Sequence, residues 1–118
     1  MPSDLSPMQT LRQEIREFVR ERDWERFHSP KNLATALSIE VAELLEMFLW
    51  RSDDDSRLNE AELCHLRHEI GDVMIYLVDL SDKFDLDPLK CAREKLALNR
   101  EKYPRDVVRG SAKKYTEY

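Results

Sequence analysis

Four carboxylates stand where apolar side chains would be expected. In SIEVAELLEMFLW, Ser38 to Trp50, Glu40 falls inside a stripe formed by Leu33, Leu37, Leu44 and Met47 when about 100° of rotation is taken per residue. Glu43 lies roughly 60° round on the same side, and Glu46 roughly 60° further, nearer the rim. A later segment repeats the pattern. Leu66, Val73, Tyr76 and Leu80 form a stripe with Glu69 within it and Asp72 three residues on. The pairs EVAE (Glu40, Glu43) and EIGD (Glu69, Asp72) therefore each turn two carboxylates toward one helix face.

Unpaired, these groups would be strongly unfavourable. Burying one ionised carboxylate costs several kcal/mol, and two like charges ~4 Å apart repel by about 4 kcal/mol at an effective dielectric of ~20. Protonation, a buried Lys or Arg, or a bound cation must offset this. Neither stripe contains Lys or Arg. A divalent ion is the economical solution, and all-oxygen donors favour a hard one, Mg²⁺ or Mn²⁺. A single E-x-x-E on a helix is ordinarily solvated; two such pairs centred in the apolar stripes of neighbouring helices are a stronger signal.

The elements that would hold these groups can be read from caps and periodicity. Ser6-Pro7, Ser29-Pro30 and Asp87-Pro88 each place a capping side chain before a proline, and Asn59 with Glu62 has the form of a capping box. Helices are expected over about 7–23, 30–50, 60–83 and 88–103. Pro104 disfavours helical backbone at Tyr103. The 118 residues thus read as one domain, 1–118. It is an all-α, antiparallel four-helix bundle over about 7–103 with a C-terminal tail, 104–118, that is irregular around Gly110 and basic in its last third. Helix two is apolar nearly all round. Leu33, Leu37, Val41, Leu44 and Phe48 cover one side, and Ile39, Ala42, Leu45 and Leu49 much of the other. A small domain cannot bury both, which points to a symmetric partner subunit.

Composition excludes several classes. A net charge of −5 argues against a general nucleic-acid or membrane-surface binder, though a phosphorylated small molecule needs only a few local cations. No apolar run approaches the ~20 residues of a membrane span. The start, MPSDLSPMQT, has no targeting character. Cys64 and Cys91 do not form a zinc motif and read as free thiols of a cytoplasmic protein.

These residues resemble the all-α nucleoside triphosphate pyrophosphohydrolases of the MazG type, whose motif is E-x-x-E followed by E-x-x-D. The likeness is closest to the dCTP-cleaving members. It extends through RDWERFHSPKNL, EVAELLEMFLW, EIGDVMIYLV, NREKYP and KKYTE. It implies Mg²⁺-dependent hydrolysis, with Mn²⁺ a possible substitute, between the α and β phosphates of a deoxynucleoside triphosphate. The products would be the monophosphate and pyrophosphate, serving nucleotide-pool sanitation. It also implies a homodimer or homotetramer with shared sites. Glu40, Glu43, Glu69 and Asp72 become metal ligands. Trp24, His28 and Trp50 become the base pocket, with Phe27 close by. Tyr76 and Asn99 lie near the nucleotide, and Lys31, Lys95, Arg100 and Lys102 contact phosphates. The dCTP-cleaving members have a histidine where this chain has Ile15, and small residues where it has Ile39 and Ala42.

The reaction asks mainly for positioning and charge neutralisation. One carboxylate can take the proton of the attacking water, and Glu43 is the candidate. Asn99 interrupts the stripe Leu89, Ala92, Leu96, Tyr103, so its amide needs a partner, in a neighbouring helix or in a ligand. Two tryptophans can sandwich a pyrimidine or simply anchor a core. Glu62 and His65 have the Glu-x-x-His form of di-iron bundles, but without a second copy; His65 and His68 are expected at the surface, as is the acidic run 53–55. Three readings compete with a dCTP-preferring enzyme: a broad-specificity MazG-like enzyme, a di-iron bundle, and a non-catalytic oligomerisation module.

Overall fold

Each of the four long helices begins on a side chain that satisfies its own free amides. In the computed structural model, which describes residues 4–53 and 57–110, α1 spans Pro7–Glu21, α2 Pro30–Glu46, α3 Glu60–Asp82, α4 Pro88–Lys102 and α5 Arg105–Val108. Ser6 Oγ accepts from the Gln9 amide, and Gln9 Oε1 accepts from the Ser6 amide. Ser29 Oγ accepts from Asn32. Asn59 and Glu62 exchange the same reciprocal pair. Asp87 Oδ1 accepts from Leu89 at 2.8 Å. All four starts expected from sequence hold, because a cap is a local interaction.

The helix ends differ by a few residues. α1 stops at Glu21 rather than 23. Asp23 takes φ 55°, in the left-handed region, and the Trp24 amide turns back to the Val19 carbonyl at 3.0 Å, a pattern that closes helices. A single 3₁₀ turn, Glu25–Phe27, follows. α2 stops at Glu46 rather than 50. Beyond it the Phe48 and Arg51 amides return to Leu45 and Phe48, the tighter i to i+3 pattern. Tyr103 leaves the helical region at ψ 71°, as Pro104 requires. The tail was expected to be irregular around Gly110, which takes φ 80°; ahead of it Pro104 starts the short α5. KKYTE and positions 54 and 55 of the acidic run lie outside the described residues.

The packed part is built from α1, α2 and α3. α2 and α3 lie against each other, and α1 docks on α3 through Ile15, Val19 and Val78, with Met8 and Leu11 packed around them. Leu33 and Val78 are each 1% exposed. The docking is fixed electrostatically. Arg16 donates to both oxygens of Asp82, at 2.7 and 2.5 Å, and Arg12 Nε lies 3.7 Å from the same carboxylate. Between α2 and α3, Arg51 pairs with Glu62 and donates to the Arg57 carbonyl.

α4 departs from the expected bundle. It buries no residue, and Leu89, Leu96 and Leu98 stay exposed, so one chain does not complete a four-member bundle. α4 meets α3 over a short stretch and leaves its apolar stripe uncovered, while its remaining faces carry charge. The radius of gyration is 18.1 Å, against about 13 Å for a compact domain of ~100 residues. The second apolar face of α2 is bare, with Ile39 and Leu45 about half exposed, and Val41, expected on the covered face, is about half exposed as well.

The hydrogen bonds from Arg16 hold the Asp82 carboxyl below its usual range. A depressed carboxylate stabilises fully above its unfolded value and loses that contribution as pH falls through the folded one. Asp82→Asn is therefore expected to cost roughly 1–3 kcal/mol at neutral pH and almost nothing in strong acid. Urea unfolding at both pH values checks this; a gap that persists in acid would mean the ion pair is not what matters.

Candidate active site

Packing α2 against α3 brings the two sequence motifs together. One carboxylate oxygen from each of Glu40, Glu43 and Glu69 lies within 4.8 Å of the other two. Glu69 is buried at 8% exposure, and Glu40 is half-buried. Glu40 Oε2 and Glu69 Oε2 are both buried and accept no hydrogen bond. Burial, then the hydrogen bond and charge of Glu43, then Asp72 and Glu69, push the Glu40 carboxyl from 4.5 to about 7. Acceptor-only oxygens, crowded and unpaired, fit a hard divalent cation.

Asp72 stands outside this trio and is more exposed, but its charge acts on Glu40 and on Tyr76. It also lines a neighbouring cavity of about 440 Å³, within the usual range for small-molecule sites. The cavity is walled by Leu11, Ile15, Phe18 and Val19 of α1, by Trp24 and His28 of the connection, and by Ile75, Tyr76 and Asp79 of α3, with Glu14 at its border. Trp24 meets Phe18 edge to face at 5.7 Å and lies 6.3 Å from the His28 ring. Burial, then the charges of Glu40, Asp72 and Asp79, raise the Tyr76 hydroxyl above its ordinary value. Tyr76 thus remains a protonated donor between acidic cluster and cavity.

Other candidates lie elsewhere. Phe27 is about half exposed, and Trp50 is 92% exposed; neither borders the cavity, so Trp24 and Trp50 do not face each other across it. Lys31 is exposed beside Ser29. Lys95, Arg100 and Lys102 are exposed on α4 and Asn99 is half-buried there, but none lines the cavity or joins the trio. The Lys102 ammonium lowers the Lys95 pKa, so these two form one concentration of positive charge. His65 is exposed as expected, yet its Nε2 lies 3.5 Å from Glu69 Oε1.

Asp79 was not singled out from sequence. It is 7% exposed, with Oδ2 2.8 Å from His28 Nδ1. A signal existed: Glu69, Asp72, Tyr76 and Asp79 follow one another at i, i+3, i+7 and i+10, a continuous line along one side of a helix.

Comparison with known proteins points one way. A family model described as the MazG-like family matches residues 35–118. The chain is 43% identical over 123 residues to dCTP pyrophosphatase 1 of Rattus norvegicus, covering 98% of this chain and 72% of that protein. It is 42% identical over 119 residues to dCTP pyrophosphatase 1 of Homo sapiens, covering 95% and 69%. The crystal structure of a pyrophosphatase from Archaeoglobus fulgidus DSM 4304 superposes with a TM-score of 0.74 at 39% identity, covering 88% of this chain and 98% of that one.

The raised Glu40 carboxyl has a measurable consequence. Between 4.5 and about 7 the folded state holds a proton that the unfolded state has released, so metal-free stability falls as pH rises through that window. Glu40→Gln is expected to remove this slope and to stabilise the chelator-treated protein above neutrality by roughly 1–3 kcal/mol. Thermal unfolding in EDTA across the pH range tests it; an unchanged or lower stability of the variant at high pH would contradict the crowding of charge.

Proposed function

The chain belongs to the MazG-like family, and from that membership we propose a Mg²⁺-dependent nucleotide pyrophosphohydrolase acting on a deoxynucleoside triphosphate, dCTP or a modified dCTP. The observation that carries the reading is the set of buried, unpartnered oxygens of Glu40 and Glu69, clustered with Glu43 beside an aromatic cavity. Glu40, Glu43, Glu69 and Asp72 would hold Mg²⁺, with Mn²⁺ a possible substitute. When bound, the ion neutralises phosphate charge and acidifies water. Glu43 accepts the proton of the attacking water. The water oxygen bonds to phosphorus as the α–β anhydride bond breaks, releasing the monophosphate and pyrophosphate.

The base enters the cavity against Trp24 and His28. Stacking on an aromatic face contributes about 1–3 kcal/mol. Tyr76 donates toward the nucleotide. Phe27, Lys31, Trp50, Lys95, Asn99, Arg100 and Lys102 take their roles in an assembled homodimer or homotetramer. That assembly covers the bare faces of α2 and α4 and completes each site from more than one subunit. No helix among the described residues is long and apolar enough to cross a membrane. The proposed place of action is the cytoplasm, in nucleotide-pool sanitation. One observation favours a second reading, a broader nucleotide range. Ile15, buried in the cavity wall, offers the base no hydrogen-bonding group.

Pyrophosphate release should be measured across the common ribo- and deoxyribonucleoside triphosphates, with Mg²⁺ and with EDTA. We expect dCTP to be cleaved fastest, and only with the divalent ion. Glu43→Gln should lower kcat by about 10²–10⁴-fold. Absence of turnover with either Mg²⁺ or Mn²⁺ would overturn the assignment.

A further inference from the structure

Among the described residues, the reaction described above leaves one buried charged group without a task. Asp79 sits on α3 at 7% exposure, where an ionised carboxylate must be well partnered to be tolerated. Its Oδ1 faces Lys83 Nζ at 4.0 Å. Its Oδ2 meets His28 Nδ1 at 2.8 Å. We propose that Asp79 is a positioning residue: it fixes the tautomer of His28 so that the imidazole reads an exocyclic amino group on the base. This inference rests on the reading of the cavity as the base pocket.

The argument is one of donors and acceptors. An ionised carboxylate can only accept, so the short contact requires the proton on Nδ1. In the neutral ring the lone pair then lies on Nε2. The Asp79 contact is the hydrogen bond that the His28 side chain makes among the described residues, and Nε2 makes none. The ring is largely covered, with 18% of its side chain exposed. It borders the cavity beside Trp24, tilted 33° to the indole.

An Nε2 lone pair in that position accepts from an amino group, such as N4 of cytosine. It opposes a carbonyl oxygen, such as O4 of uracil or thymine. An unmatched pair of acceptors in a dry site costs enough to give roughly tenfold to hundredfold discrimination. The flat flank of Trp24 accepts either pyrimidine, so stacking alone would not separate them. Glu14, Asp72 and Tyr76 border the same cavity. In the described structure, none of them is hydrogen-bonded to the imidazole.

The test joins a spectroscopic readout to a kinetic one. ¹⁵N NMR of the full-length wild-type protein should show His28 protonated at Nδ1 and bare at Nε2. The ratio of kcat/KM for dCTP over dUTP should fall roughly tenfold or more in Asp79→Asn, because an amide can donate to Nδ1 and shift the proton to Nε2. Asp79→Asn should change that ratio no further in a His28→Ala background. A wild-type proton on Nε2, or an unchanged ratio in folded Asp79→Asn, would overturn the inference. Should Asp79→Asn fail to fold, the wild-type tautomer and the ratio in His28→Ala decide instead, and a ratio unmoved by His28→Ala would overturn it. A wild-type protein that cleaves no nucleotide would sink the pocket reading itself. A wild type that cleaves dCTP and dUTP equally would sink only the amino-group inference.

Discussion

Mutual repulsion among carboxylates is the constraint on which the architecture turns. Glu40, Glu43 and Glu69 are pressed within 4.8 Å of one another by the same α2–α3 packing that shields Leu33 from water. The apolar residues that hold the helices together also lower the local dielectric and so sharpen the repulsion. The protein alone can relieve this only by keeping a proton, and burial first, then the neighbouring carboxylates, raise Glu40 to about 7. A hard cation relieves it better, since it satisfies several oxygens at once.

α3 distributes acidic side chains by depth and partner. Glu69 enters the cluster. Asp72 stands between cluster and cavity. Asp79 binds the His28 imidazole, and Asp82 locks Arg16 of α1. Four carboxylates on one helix thus do different work because each meets a different neighbour. Asp82 is held below the usual carboxylate range by a guanidinium, whereas Glu40, facing α3 from α2, is pushed upward by burial and then by neighbouring carboxylates.

Much of this was legible in the residues. The caps at Ser6, Ser29, Asn59 and Asp87 are interactions across two or three positions, so sequence displays them directly. The convergence of Glu40, Glu43 and Glu69 followed from helical periodicity and the cost of buried charge. The limits have equally physical causes. Helix two loses its last turn because the chain after Glu46 tightens to i to i+3 bonding, which periodicity does not register. Asp79 escaped notice because its meaning depends on His28, 51 residues away. The position of α4 escaped because its apolar stripe, Leu89, Ala92 and Leu96, resembles a bundle member's while its remaining faces are charged. Trp24 and Trp50 suggested a sandwich, yet in one chain Trp24 enters the cavity wall and Trp50 remains in solvent.

All four motif carboxylates reside on a single helical hairpin, α2 and α3, which precedes α4 in the chain. During synthesis this hairpin leaves the ribosome ahead of α4, and it can close while α4 is still inside the exit tunnel. The trio of Glu40, Glu43 and Glu69 takes no residue from α4, so the basic side chains of that helix need not be in place for the acidic oxygens to meet. A nascent chain therefore meets the cell's divalent ions with its acidic cluster already able to form, ahead of the helix that carries Lys95, Arg100 and Lys102.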